Sequence, residues 1–267
     1  MSKKTRVDLH NHTTLCNHAT GTVEEYVKRA IELGIDEYGF ACHAPMNFDP
    51  KYRMKLEERT LYEKWVNETK EKYKDKIKVL LAYEVDFLNG FMLDEILNAN
   101  VDYLIGSVHF LQNKNEMWGF DNPEFIGEYA NKDATETWTE YFKLIAQMAE
   151  TKAFNIVGHM DLLKVFNFKQ PKDTAKMAKK AIEEIKKAGM AIEINASGLR
   201  KPVNEAYPSN ELLSAILEFE VPITFGSDSH DPSHIGFKMS ENMELAKSIG
   251  FKNYAYFENR KINLINF

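Results

Sequence analysis

Almost every histidine in this chain stands at or just past the C-terminal end of a short run rich in β-branched and aromatic residues. The runs are residues 6–10, 37–42, 77–84, 103–108, 155–158, 190–195 and 223–226, with 254–257 as a candidate eighth. Amphipathic stretches separate them, so strands alternate with helices, a pattern that calls for parallel pairing with the helices outside. If such a sheet closes into a barrel, all its C-terminal strand ends open onto one mouth. An open nucleotide-binding sheet is the competing arrangement. It is disfavoured here because no G-x-G-x-x-G follows the first run and no P-loop occurs. With no Pro/Gly/Ser-rich linker dividing the 267 residues, the expectation is an α/β fold with a single barrel domain over residues 1–267.

The intervening helices carry their own boundary signals. Thr22 followed by Glu25 reads as a capping box, and Gly34 closes that helix. Asp173 is placed to cap a helix ending at Gly189, and Ser209 after Pro208 to open one over residues 211–219. Two connections, residues 44–56 and 110–123, are longer than a minimal barrel needs and read as binding loops.

Forty acidic residues against 34 basic ones give a net charge of −6, which excludes a broad cationic face for polynucleotides. No apolar run reaches the roughly 18 residues of a membrane span. The opening residues Met1, Ser2, Lys3, Lys4, Thr5 and Arg6 lack the apolar core of a leader, so a cytoplasmic protein is expected. Cys16 and Cys42 are too few for a disulfide scaffold. They are read as reduced thiols outside the ligand set.

The strand ends themselves read Asp8-Leu9-His10-Asn11-His12, Cys42-His43, Tyr83-Glu84, Ser107-Val108-His109, Gly158-His159-Met160-Asp161 and Ser227-Asp228-Ser229-His230. One histidine after a strand is usually a hydrogen-bonded structural residue. Several on one rim are a donor set. His10 and His12 are two apart, so in an extended segment both rings face the same side. Imidazoles combined with the carboxylates of Glu84 and Asp228 suit zinc, manganese or iron. Counting His10, His12, His18, His43, Glu84, His109, His159, Asp228 and His230 gives more donors than one catalytic ion takes, so two to three divalent ions are expected. With only two carboxylates among the donors such a centre stays cationic. It favours an anionic substrate, and phosphate ester hydrolysis is the reaction that it suits.

Arg200, after the sixth run, would stand at the same mouth and grip phosphate oxygens as a catalytic and substrate-binding residue. His43 and Ser229 are further candidate substrate contacts. Asp161 is a candidate proton donor to the leaving group, with support of a ligand as the other possibility. Asp8 supports a ligand or serves the fold, Arg53 is a weaker candidate for touching substrate, and His234 is placed outside the cluster in a solvated or capping role.

In order, Asp8-x-His10-x-His12, His18, His43, Glu84, the Gly-Ser-x-His ending at His109, Gly158-His159-x-Asp161 and Gly226-Ser227-Asp228-x-His230 resemble the polymerase and histidinol phosphatase (PHP) family. The resemblance covers nearly the whole chain and implies a distorted, TIM-like barrel of seven strands. It further implies one metal on His10, His12, Glu84 and Asp228, a second on Glu84, His109 and His159, and a third on His18, His43 and His230. His43-Ala44-Pro45, the run from Gly106 to Leu111 with Trp118-Gly119-Phe120-Asp121, and Ala196 to Lys201 resemble the family's histidinol-phosphate phosphatase branch. That implies hydrolysis of L-histidinol phosphate by a metal-bridging hydroxide, in histidine biosynthesis. Glu116, Trp118 and Asp121 are candidates for the substrate's imidazole and ammonium groups. Three other readings are a nuclease or nucleotide phosphoesterase cutting phosphodiesters, a metal-binding module without turnover, and a barrel hydrolase of carbon–nitrogen bonds. No strand-end lysine replaces Glu84, which counts against the last. The oligomeric state is left open.

Overall fold

A computed structural model describes residues 5–113 and 116–267. The first four residues, read above as lacking a leader's apolar core, lie outside the described residues. Seven parallel strands form one sheet in the order β1 (Val7–Asp8), β2 (Glu37–His43), β3 (Lys78–Asp86), β4 (Tyr103–Ser107), β7 (Ile156–Val157), β8 (Ala191–Asn195) and β9 (Ile223–Gly226). The two edges meet. Leu9 donates its N–H to Phe225 O at 2.9 Å, His12 N–H reaches Ser229 O at 2.9 Å, and Asn11 bridges Ser229 in parallel register. The result is a nearly closed, distorted barrel of the TIM-like kind.

Asp8 latches that seam. Its fully buried carboxylate accepts from Ser227 N–H (2.9 Å), Ser227 Oγ (2.6 Å), Gly236 N–H (3.0 Å) and Asn11 Nδ2 (3.2 Å). Of its two expected roles, the structure therefore shows the one in the fold. Within the barrel, the Tyr103 hydroxyl donates to Leu9 O at 2.6 Å. Gly39 makes room for it, since a Cβ at that position would lie 1.7 Å from the Tyr103 oxygen.

Helices α1 (Val23–Glu32), α2 (Arg59–Tyr73), the short α3 (Asp94–Leu97), α4 (Ala134–Glu150), α5 (Thr174–Ala188), α6 (Asn210–Glu218) and α7 (Met239–Ile249) cover the barrel. Thr22 and Glu25 form the expected capping box, and Ser209 caps α6 through Leu212 N–H. Asp173 occupies the N-cap position of α5, but its side chain makes no cap bond. Gly189 ends α5 in the left-handed region. None of these helices is long and apolar enough to cross a membrane.

Two hairpins stand outside the barrel. β5 (Phe110–Asn113) and β6 (Glu116–Gly119) rise from the second long loop, and β10 (Asn253–Glu258) pairs with β11 (Lys261–Asn266) beside β9. The candidate eighth strand is thus half of an external antiparallel hairpin.

Candidate metal centre

The strand ends bring all nine expected donors to one rim. Pairing of β2 with β3 sets His43 directly opposite Glu84. Around the buried Glu84 carboxylate stand His43 Nδ1 at 2.9 Å, His159 Nε2 at 2.9 Å, His10 Nε2 at 3.3 Å, His109 Nε2 at 3.6 Å and His12 Nε2 at 3.7 Å. Asp228 faces the same space, with His12 Nε2 at 3.1 Å, His230 Nδ1 at 3.5 Å and His10 Nε2 at 4.0 Å from Oδ1. The His230 ring lies 3.8 Å from that of His12 and 4.4 Å from that of His18. Both His159 (φ 23°) and Asp228 (φ 51°) turn into left-handed backbone where they leave their strands. This conformation is costly for residues with a side chain and is kept where a site requires it.

The donor atoms of His10, His12 and Glu84 lie within 4.8 Å of one another, as do those of Glu84, His109 and His159, and those of His12, His43 and His230. Glu84 belongs to two of these groups. His10 Nε2, Glu84 Oε2, His159 Nδ1 and His230 Nε2 are buried without a hydrogen-bond partner. Unsatisfied polar atoms are rare inside proteins. A cluster of them on nitrogen and carboxylate donors fits divalent ions such as zinc, manganese or iron. Burial alone would raise the Glu84 carboxyl, yet the imidazoles of His43, His10 and His109 hold it well below the usual carboxylate range. Asp228 is held down in the same way, against burial, by His10, His12 and His230.

Two supporting carboxylates escaped the sequence reading. Glu193 on β8 is buried, lies 2.9 and 3.1 Å from His10 Nδ1, and accepts from His159 N–H at 2.8 Å. Asp86 at the end of β3 meets His109 Nδ1 and takes Arg53 Nη1 at 2.7 Å on its other oxygen. The available signal for Glu193 was a lone acid inside an otherwise apolar strand run, and for Asp86 its place two residues after Glu84, on the same side of the strand. Carboxylates behind metal-ligating histidines fix the ring's orientation and tautomer. Asp86→Asn is expected to weaken metal affinity by about 10–100-fold while leaving the fold intact; an unchanged metal titration would show that His109 needs no such partner.

Beside the donors opens a cavity of about 430 Å³ whose wall includes Ser197, Arg200, Lys201, Asp121 and His234. Arg200 directs Nη2 to the carbonyls of Ser227 (2.8 Å) and Asp228 (3.0 Å), and its Nη1 has no partner. His234, placed outside the cluster in the sequence reading, lines this cavity. Asp161 does not. Its buried carboxylate takes Ser209 N–H at 2.9 Å and Lys164 Nζ at 2.9 Å on Oδ2, which ties it to the segment after His159, while Oδ1 is buried without a partner. Ser229 is also withdrawn: it is fully buried in the seam, with its hydroxyl 2.7 Å from that of Ser227. A neighbouring cavity of about 220 Å³ is lined by Asp49, Tyr52, Arg53, Phe110, Asp121 and Phe125. Trp118 packs on Tyr129 instead, and the side chain of Glu116 lies outside the described residues.

A parallel barrel with imidazoles and carboxylates ringing its mouth, and a guanidinium beside them, defines a hydrolase of the metal-dependent barrel class. The sequence matches the PHP domain family over residues 8–197, more than half of its length, and the chain belongs to that family. It is 35% identical over 260 residues to a protein of Deinococcus radiodurans named "Probable histidinol-phosphatase", covering 96% of this chain and 97% of that one. Histidinol-phosphatase of Bacillus subtilis is 26% identical, with 89% of this chain and 98% of that protein covered. Histidinol phosphate phosphatase of Lactococcus lactis, solved with zinc, L-histidinol and phosphate, shares the fold at a TM-score of 0.79 and 24% identity, covering 98% of this chain and all of that one.

Proposed function

We propose that this chain is a cytoplasmic phosphomonoesterase hydrolysing L-histidinol phosphate to L-histidinol and phosphate, a step of histidine biosynthesis. The observation that carries the reading is the cluster of nine imidazole and carboxylate donors, seven of which line one cavity together with Arg200. The identity of the substrate is supported by the names of the relatives and by the ligands of the Lactococcus protein.

Two to three divalent ions would be held by His10, His12, Glu84 and Asp228, by Glu84, His109 and His159, and by His18, His43 and His230. Bound there, they supply an acidified water and neutralise charge on the phosphoryl group. Arg200 is fixed at the cavity wall by two carbonyls on Nη2, and its buried, unpartnered Nη1 is the donor it would offer to a phosphoryl oxygen. His43 faces the same space from the end of β2. Asp121 borders both cavities and is placed to take the ammonium of a substrate whose phosphate lies at Arg200.

The test is phosphate release from L-histidinol phosphate by metal-analysed protein, beside a simple monoester, a bis-aryl phosphodiester and a chelator-treated control. Metal-dependent release favouring histidinol phosphate is expected. Preference for the diester would move the substrate to nucleotides and keep the centre. In the same assay Arg200→Ala should retain metal while kcat/KM falls at least about tenfold, about 1.4 kcal/mol of transition-state binding. Unchanged kinetics would remove Arg200 from the site.

A further inference from the structure

Both cysteines are buried free thiols, and the reading above uses neither. Cys16 closes the short turn Thr14–Cys16, and Cys42 precedes His43 on β2. Their sulfurs and a ring nitrogen of His12 lie within 4.8 Å of one another. The Cys42 sulfur accepts from Thr13 N–H at 3.4 Å and Thr13 Oγ1 at 3.3 Å and lies 3.6 Å from Thr13 O as a donor. His12 gives its Nε2 to Asp228. Its Nδ1 remains, fully buried and with no hydrogen-bond partner, next to Cys42.

Two sulfurs and an imidazole nitrogen in one small volume are soft donors. The hard-to-borderline set at the mouth differs in kind from them. We propose that Cys16, Cys42 and Nδ1 of His12 form a second metal site behind the imidazole cluster, selective for thiophilic closed-shell ions such as Cd²⁺, Cu⁺ or excess Zn²⁺. Tetrahedral coordination, with metal–sulfur bonds of about 2.3 Å and metal–nitrogen bonds of about 2.0–2.1 Å, brings such donors to about 3.5–4 Å apart. The side chains therefore close by only about 1 Å. In the metal-loaded protein each S–H bond and the N–H bond left on the His12 ring break as bonds to the ion form, three protons leave to solvent, no electrons are transferred, and two thiolates neutralise a divalent ion while the His12 imidazolate is shared with the outer centre. Entry runs past the mouth, because a Cys16 ligand atom is also within 4.8 Å of donors on His18 and His230, and His18 is exposed. An ion lodged there shares His12 with the outer centre, so it is expected to depress turnover. Only this last effect rests on the proposed function.

The experiment adds Cd²⁺ stepwise to reduced, metal-loaded protein and follows the ultraviolet thiolate-to-cadmium charge-transfer band alongside hydrolysis. A band saturating near one equivalent, lost in Cys16→Ala together with Cys42→Ala, and at least a tenfold fall in turnover that Cys16→Ala escapes, are expected. No band in the wild-type protein, or a band that survives in the double variant, overturns the site. Inhibition equal in both proteins overturns its link to turnover. Should the variants not fold, the cadmium NMR resonance of the wild-type protein decides, since mixed sulfur and nitrogen ligation supports the site and purely nitrogen and oxygen ligation removes it.

Discussion

Glu84→Ala is expected to lose bound metal and turnover together, with kcat/KM falling by about a thousandfold or more, about 4 kcal/mol in transition-state stabilisation. No other residue stands against so many donors. Five imidazoles lie within 3.7 Å of its carboxylate, and it joins two of the three donor groups. Removing it leaves histidines facing one another around an unneutralised space and deprives neighbouring ions of their shared oxygen donor. Metal analysis after gel filtration, paired with the phosphate-release assay, reads both losses. An alanine variant with full metal and wild-type rate would mean that Glu84 is a buried structural acid and the centre lies elsewhere on the rim.

The second large effect concerns stability. Asp8→Ala should destabilise the protein by about 1–5 kcal/mol, because the buried N–H of Ser227 is left without an acceptor, at about 1–3 kcal/mol, and the partly buried N–H of Gly236 loses its own at a smaller cost. The urea midpoint of the metal-free protein measures this without interference from ligand binding. A shift below about 0.5 kcal/mol would show that water replaces the carboxylate, which contradicts a latch. Burial pushes the Asp8 carboxyl up from its usual range while its donors work against that rise. The residue is thus held by geometry at some electrostatic cost.

Placement of the donors was legible in the sequence because the barrel turns a linear pattern, histidines and carboxylates at successive strand ends, into a ring. The strands were less so. Residues 155–158 and 6–10 read as full strands, whereas only Ile156–Val157 and Val7–Asp8 pair in the ladder. After Val157 the chain turns away from the ladder at His159, whereas after Asp8 it stays bonded to its neighbours through isolated contacts of Leu9, Asn11 and His12. The hairpin of β10 and β11 was half-hidden, since its turn places Asn259 (φ 50°) and Arg260 (φ 65°) in consecutive left-handed positions. Such a turn is normally signalled by Asn-Gly, and arginine at the second position conceals it. Glu193 lay in an apolar strand run and Asp86 just past the end of one, places where an acid can serve the core or a ligand, and only the neighbouring rings of His10 and His109 decide. Asp161 and Ser229 were placed by proximity to ligands along the chain; alternation sends Ser229, one residue from Asp228 and His230, to the other side, while Asp161, past the end of its strand at Val157, is turned toward Ser209 and Lys164.

The seam gives the centre a second consequence. His12 and Asp228 are 216 residues apart and follow the first and last barrel strands, which are joined by only a few backbone bonds. An ion shared by them acts as a staple across nearly the whole chain, offsetting the loop-closure entropy of bringing the two ends together. Metal supply would then govern how long the barrel stays shut as well as whether it turns over. In the metal-free protein, amide exchange would begin at the β1–β9 edge, ahead of the continuous β2–β3–β4 ladder.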